Sequence, residues 1–151
     1  MKTHALSVAA LLATSLLLSA FSCERKSSDP CANQDVAGRS YQLYPCIPDQ
    51  TKPNAQLFVV NSAAEFGAAF PCSSYRPGAA VFQDSTLLVG WKQYCCCGHV
   101  KSQRLTYSCE ADTYTYQVAI EAGACQAALP VTSQLLVPKL PAGARVVLDM
   151  Q

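Results

Sequence analysis

The sequence predicts a small α+β domain, mostly antiparallel β-sheet with six or seven short strands and one early helix, and rich in disulfides. Three observations carry that expectation. Short apolar, β-branched runs recur along the chain with tight, turn-forming links between them. One Ser-x-x-Glu capping signal opens the one strong helical segment. Nine cysteines stand in 151 residues, a usage that fits an oxidising compartment and a covalently stapled domain.

The elements follow in order. Met1-Lys2-Thr3-His4 is a charged head, and Ala5 to Ala20 is an apolar run of Leu, Ala and Val broken only by Ser and Thr. It is shorter than the roughly 20 apolar residues that span a bilayer, so residues 1–22 read as a cleaved signal peptide. The run ends Leu18-Ser19-Ala20-Phe21-Ser22-Cys23, which resembles the lipobox of bacterial lipoproteins. That resemblance implies that Cys23 is acylated, becomes the new N-terminus and anchors the protein in the cell envelope. Setting Cys23 aside leaves eight cysteines, an even number with no odd thiol. The next residue is Glu24 and not Asp, which among such lipoproteins favours the outer membrane over the inner.

Residues 23–53 are polar and punctuated by proline (Ser27-Ser28-Asp29-Pro30, Tyr44-Pro45-Cys46-Ile47-Pro48), and read as a tether followed by a loop-rich segment. Residues 54–151 read as a single α+β domain. Gln56 to Val60 is a strand by composition. Ser62-Ala63-Ala64-Glu65 then caps a helix in which Phe66 and Phe70 share a face, and Pro71 stops it. Ala79 to Phe82 reads as a weak strand, and Ser85 to Tyr94 as one apolar enough to be central in a sheet. Val100 to Cys109 and Thr113 to Glu121 read as a hairpin around Glu110-Ala111-Asp112. Gln134 to Val137 and Ala144 to Met150 complete the set, joined by Pro138-Lys139-Leu140-Pro141-Ala142-Gly143, which can continue neither strand.

The order of strand, Ser-x-x-Glu-Phe helix, cysteine and proline loop, Asp84 to Gly90 strand, polar hairpin, apolar strand and Val137-Pro138-Lys139-Leu140-Pro141 link resembles small bacterial lipoproteins of uncharacterised function. More distantly, over roughly Gln56 to Met150 and on the runs Val60-Asn61-Ser62-Ala63-Ala64-Glu65-Phe66 and Asp84-Ser85-Thr86-Leu87-Leu88-Val89-Gly90, the chain resembles the C-terminal domain of the protease complex subunit PrcB. The second resemblance implies a non-catalytic accessory or adaptor module.

Chemistry, on this reading, rests with the cysteines. Four disulfides among Cys31, Cys46, Cys72, Cys95, Cys96, Cys97, Cys109 and Cys125 are the default expectation, with Cys31 joined to Cys46 and the triplet 95–97 serving Cys72, Cys109 and Cys125. On a strand, Cys95 and Cys97 would share one face and Cys96 the other. A soft-metal site built from Cys95, Cys97, His99 and Cys109 is the sharper alternative. Against it, four extended steps of about 3.3 Å separate the Cα atoms of residues 95 and 99 by roughly 13 Å. His99 is the one histidine after the signal segment, no nucleophile motif accompanies it, and no phosphate-loop or metalloprotease pattern is present.

Acidic and basic residues nearly balance, which gives no electrostatic case for nucleic acid. The expectation is a non-enzymatic envelope lipoprotein that needs no cofactor, touches the membrane through its lipid and binds or assists another envelope protein. Trp91 and Tyr94 are the candidate partner surface. Two alternatives stand beside it: a thiol or metal protein using the triplet and His99, and a protease-inhibitor-like module presenting Cys72-Ser73-Ser74-Tyr75-Arg76-Pro77-Gly78.

Overall fold

A strand buried on both faces organises the molecule. In β4 (Ser85–Tyr94), Leu87, Val89 and Trp91 enter one apolar cluster while Leu88 enters another on the opposite face. Apolar layers must therefore lie on both sides of its sheet. The computed structural model describes residues 31–47 and 55–151, so the signal segment and Cys23 lie outside the described residues.

Two four-stranded sheets are formed. One has the order β1 (Gln34–Val36), β5 (His99–Ser108), β6 (Thr113–Glu121), β8 (Val146–Met150). The other has the order β2 (Arg39–Ser40), β7 (Leu129–Pro138), β4, β3 (Gln56–Val60). All pairings are antiparallel except the parallel pair β6 and β8. The result is a disulfide-rich α+β fold with three layers. The β4 sheet is the middle one: Leu88, Val131, Leu135 and Val137 meet Leu105, Tyr116, Val118 and Met150 of the other sheet. Its far face is covered by α1 (Ala63–Ala69) and by Leu43, Ile47 and Phe82.

The helix forms as the capping signal indicates. Glu65 N donates to Ser62 Oγ at 3.1 Å, and the Glu65 carboxylate reaches back one residue further than the usual box, accepting from Asn61 N at 2.7 Å. Phe66 and Phe70 sit with ring centroids 5.0 Å apart, and Phe58 of β3 lies 4.9 Å from Phe70, which pins α1 to its sheet.

The hairpin of β5 and β6 closes through a turn in which Asp112 adopts φ 45° and accepts from the Tyr107 hydroxyl at 2.9 Å. Gly90 of β4 lets the two sheets close up. A Cβ there would stand 2.5 Å from Ser133 Oγ and 3.4 Å from the Tyr116 ring. The link from β7 to β8 changes sheets and is held by Lys139, whose Nζ donates to the carbonyls of Asn61 at 2.6 Å and Phe82 at 2.9 Å.

Three local expectations are corrected. Residues 79–82 form a 3-10 helix and no strand: Val81 N bonds back to Gly78 O at 3.1 Å, and the segment is used to bury Phe82. β7 starts at Leu129 and so contains Pro130. The stretch 31–47, read as loop, supplies β1 to one sheet and β2 to the other; too few apolar side chains alternate there to signal a strand.

Candidate functional site

The N-terminal stretch leaves β1 on one sheet, crosses to β2 on the other, and then leaves the sheet again. Gln134 holds it where it departs. The Gln134 side chain, in a residue only 8 % exposed, accepts from Leu43 N at 2.7 Å and donates to Leu43 O at 2.7 Å. Its own backbone carbonyl accepts from Tyr41 N at 3.1 Å. Gln103 of β5 closes the corner between the sheets: its amide donates to Gln134 O at 2.9 Å and Ser40 Oγ at 3.2 Å, and its carbonyl accepts from the Tyr116 hydroxyl at 2.6 Å. Burial raises the Tyr116 phenol far above its ordinary value of 10.0, so it remains a donor across physiological pH.

Because the stretch leaves early, no described residue covers the sheets at this corner. β2 meets β7 only at Leu135 and Leu136, and β1 meets β5 only from Leu105 to Tyr107. Among the described residues, β7 before Leu135 and β5 before Leu105 therefore have no strand neighbour on these edges. In β7 the main-chain groups of alternate residues point the same way. Gln134 O faces β2, so Thr132 presents its N–H and C=O to the open edge, and Pro130 turns its donor-less nitrogen there.

Between the two edges lies a cavity of about 490 Å³ lined by Ser40, Tyr41, Tyr44, Val100, Ser102 and Thr132, among others. An adjoining cavity of about 300 Å³ is framed by Tyr41, Tyr44 and Tyr75. Tyr44 is 97 % exposed and Tyr75 61 % exposed. Partial burial and the neighbouring Tyr75 hydroxyl, hydrogen-bonded to it, raise the Tyr41 phenol, against the lowering effect of Arg39.

The cysteines pair only in part as expected: Cys125 takes its partner from the triplet, but Cys31 and Cys46 do not join each other, and Cys72 and Cys109 bond outside the triplet. Cys31 joins Cys109 (Cα separation 4.8 Å), Cys46 joins Cys72 (5.5 Å) and Cys97 joins Cys125 (5.5 Å), while Cys95 and Cys96 have no disulfide partner among the described residues. Cys31 and Cys46 cannot meet because 31–47 runs across both sheets and delivers the two to separate places. The triplet is a turn and not a strand. Cys96 and Cys97 have φ 66° and 50°, so alternation of faces does not apply. A side-chain hydrogen bond with Cys95, together with its charge, raises the Cys96 thiol above its ordinary value.

The four-ligand metal set is likewise corrected. Cys97 and Cys109 are held in different disulfides, and among the described residues no three of His, Cys, Asp and Glu gather as a metal site. His99 begins β5 opposite Glu121, with Nε2 3.7 Å from its carboxylate and both side chains more than half exposed.

Trp91 is not part of a surface. It is fully buried in the cluster beneath α1, and its indole N–H has no hydrogen-bond partner among the described residues. Tyr94 is half-buried over Gly98 and the inter-sheet cluster. The segment 72–78 is anchored at Cys72, and Ser73 Oγ accepts from Cys46 N at 2.8 Å, so it serves to carry Tyr75 to the tyrosine group.

Sequence reasoning passed over Tyr41, Tyr44, Gln103 and Gln134 as site residues, and took Tyr75 only as part of the 72–78 loop. One signal was present: Gln134 directly precedes the apolar run Leu135 to Val137, and an amide carried into the core with that strand needs partners. No protein-family model, no curated protein and no solved structure matches the chain.

Proposed function

We propose that the chain is a lipid-anchored, non-enzymatic protein of the bacterial envelope, held by acylated Cys23, chiefly in the outer membrane. On this reading the domain is a binding or accessory module. It holds an extended segment of another envelope protein in the groove under Tyr41, Tyr44 and Tyr75.

The observation that carries the reading is the tyrosine group, with Tyr44 97 % exposed, standing over two uncovered strand edges. A phenol ring offers large contact area at low entropic cost, and its hydroxyl tolerates water until a partner arrives. An open edge such as that at Thr132 supplies main-chain donors and acceptors to an added strand. The polar lining of the larger cavity favours an extended main chain over the apolar face of a helix.

The test is photo-crosslinking in the native envelope from a residue replacing Tyr44, against the same probe at Ala142, which lies beside Tyr107 and Asp112 near the other end of β5. A defined adduct from position 44 that is absent from 142 and lost with Tyr75→Ala supports the reading. Identical adducts from both positions, or none from 44, overturn it.

A further inference from the structure

The turn between β4 and β5 holds the two unpaired thiols in a fixed frame. Cys97 is bonded to Cys125, and its N–H donates to Ala127 O at 3.2 Å. Gly123 N donates to Cys96 O at 2.7 Å. That approach requires glycine: a Cβ on Gly123 would lie 2.6 Å from Cys97 O and 3.2 Å from Cys96 O. Segment 123–127 therefore clamps the turn from one side through a covalent bond and two main-chain hydrogen bonds.

The clamp has a chemical consequence. Cys95 and Cys96 are consecutive residues of a turn in which Cys96 has φ 66°, so the strand rule that sends neighbouring side chains to opposite faces does not separate them. Cys95 is exposed and Cys96 half-exposed, so both can be approached from solvent. Residues other than glycine hold a left-handed backbone at a cost of about 1–3 kcal/mol each, and such costs persist where the surroundings impose them.

We propose that Cys95 and Cys96 form a two-sulfur site for a thiophilic monovalent cation of the copper(I) class. This is independent of the groove reading. Zinc seeks four ligands in a tetrahedron and hard ions seek oxygen. Here no third ligand of the histidine, cysteine or carboxylate type completes a set among the described residues. A soft d¹⁰ ion is selected by thiolate and is satisfied by two of them. On binding, each thiol gives up its proton to solvent and the ion gains two sulfur bonds; no electron is transferred and no disulfide is broken.

The experiment titrates the purified full-length protein, in detergent and without oxygen, with copper(I) presented as a coloured chelator complex. One ion per chain should leave the chelator. Loading should shield two thiols from N-ethylmaleimide, and His99→Ala should bind equally. Cys95→Ser and Cys96→Ser, at solvent-facing positions, should each fold normally by Trp91 fluorescence. Each should lose affinity by more than the roughly 10–100-fold that follows removal of a merely supporting group. Undiminished binding by Cys96→Ser, no copper(I) withdrawn from the chelator, or a native mass showing Cys95 and Cys96 already joined would overturn the proposal.

Discussion

Gln134→Leu should loosen the groove by releasing residue 43 from the sheet. The substitution is close in volume and apolar, so packing changes little. What disappears is both hydrogen bonds to Leu43, each 2.7 Å long. The Leu43 N–H and C=O are then left in a residue 8 % exposed. Each unsatisfied buried group costs about 1–3 kcal/mol. Leu43 lies next to the rim, where water can reach it, so the total should fall near about 2–4 kcal/mol. Gln134→Glu keeps an acceptor for Leu43 N but sets a carboxylate against Leu43 O, and should cost a similar amount.

The assay is urea unfolding followed by the single tryptophan, which is buried in the adjoining core, together with hydrogen exchange at the Leu43 amide. A loss below about 1 kcal/mol with Leu43 still protected would refute the assignment of Gln134 as the residue that positions this wall.

Other outcomes follow from the same structure. Replacing Cys31 and Cys109 together by Ser opens a link spanning 78 residues and should cost about 4 kcal/mol in chemical denaturation, whereas Cys95→Ser with Cys96→Ser should leave the midpoint unchanged. Phe66→Ala empties a fully buried site between Phe70 and β4 and should cost about 3–5 kcal/mol by the same method. The Tyr116 phenol is raised above 10.0 by burial; the unfolded chain therefore loses this proton first, and stability should be level below pH 10 and decline as pH rises beyond it. Tyr116→Phe should flatten that decline in a denaturation series taken between pH 9 and 11.

How much of this was legible depends on which physical signal each part emits. β4 declared itself through the apolar residues Leu87, Leu88, Val89 and Trp91, and α1 through Ser62 and Glu65, because cap and core chemistry are local. The hairpin of β5 and β6 was equally readable from its turn. β1 and β2 were not: Gln34-Asp35-Val36 and Arg39-Ser40 are held by edge pairing and by the Cys31 to Cys109 bond, which leave no periodic trace. Trp91 was misplaced because an aromatic residue reads alike whether it faces a partner or a core. The groove was invisible for a further reason. It is made by Tyr41, Gln103 and Gln134, residues brought together only after the chain has changed sheets.

The central claim, that the uncovered edge of β7 receives an added strand, is tested most directly by hydrogen exchange at the Thr132 amide. The comparison is between anchored protein in its native envelope and the same protein purified in detergent. Exchange at Thr132 slowed at least tenfold in the envelope, with the Thr115 amide in β6 unchanged, is the expected result. Equal exchange in the two states would mean that nothing occupies the edge, and would contradict the account.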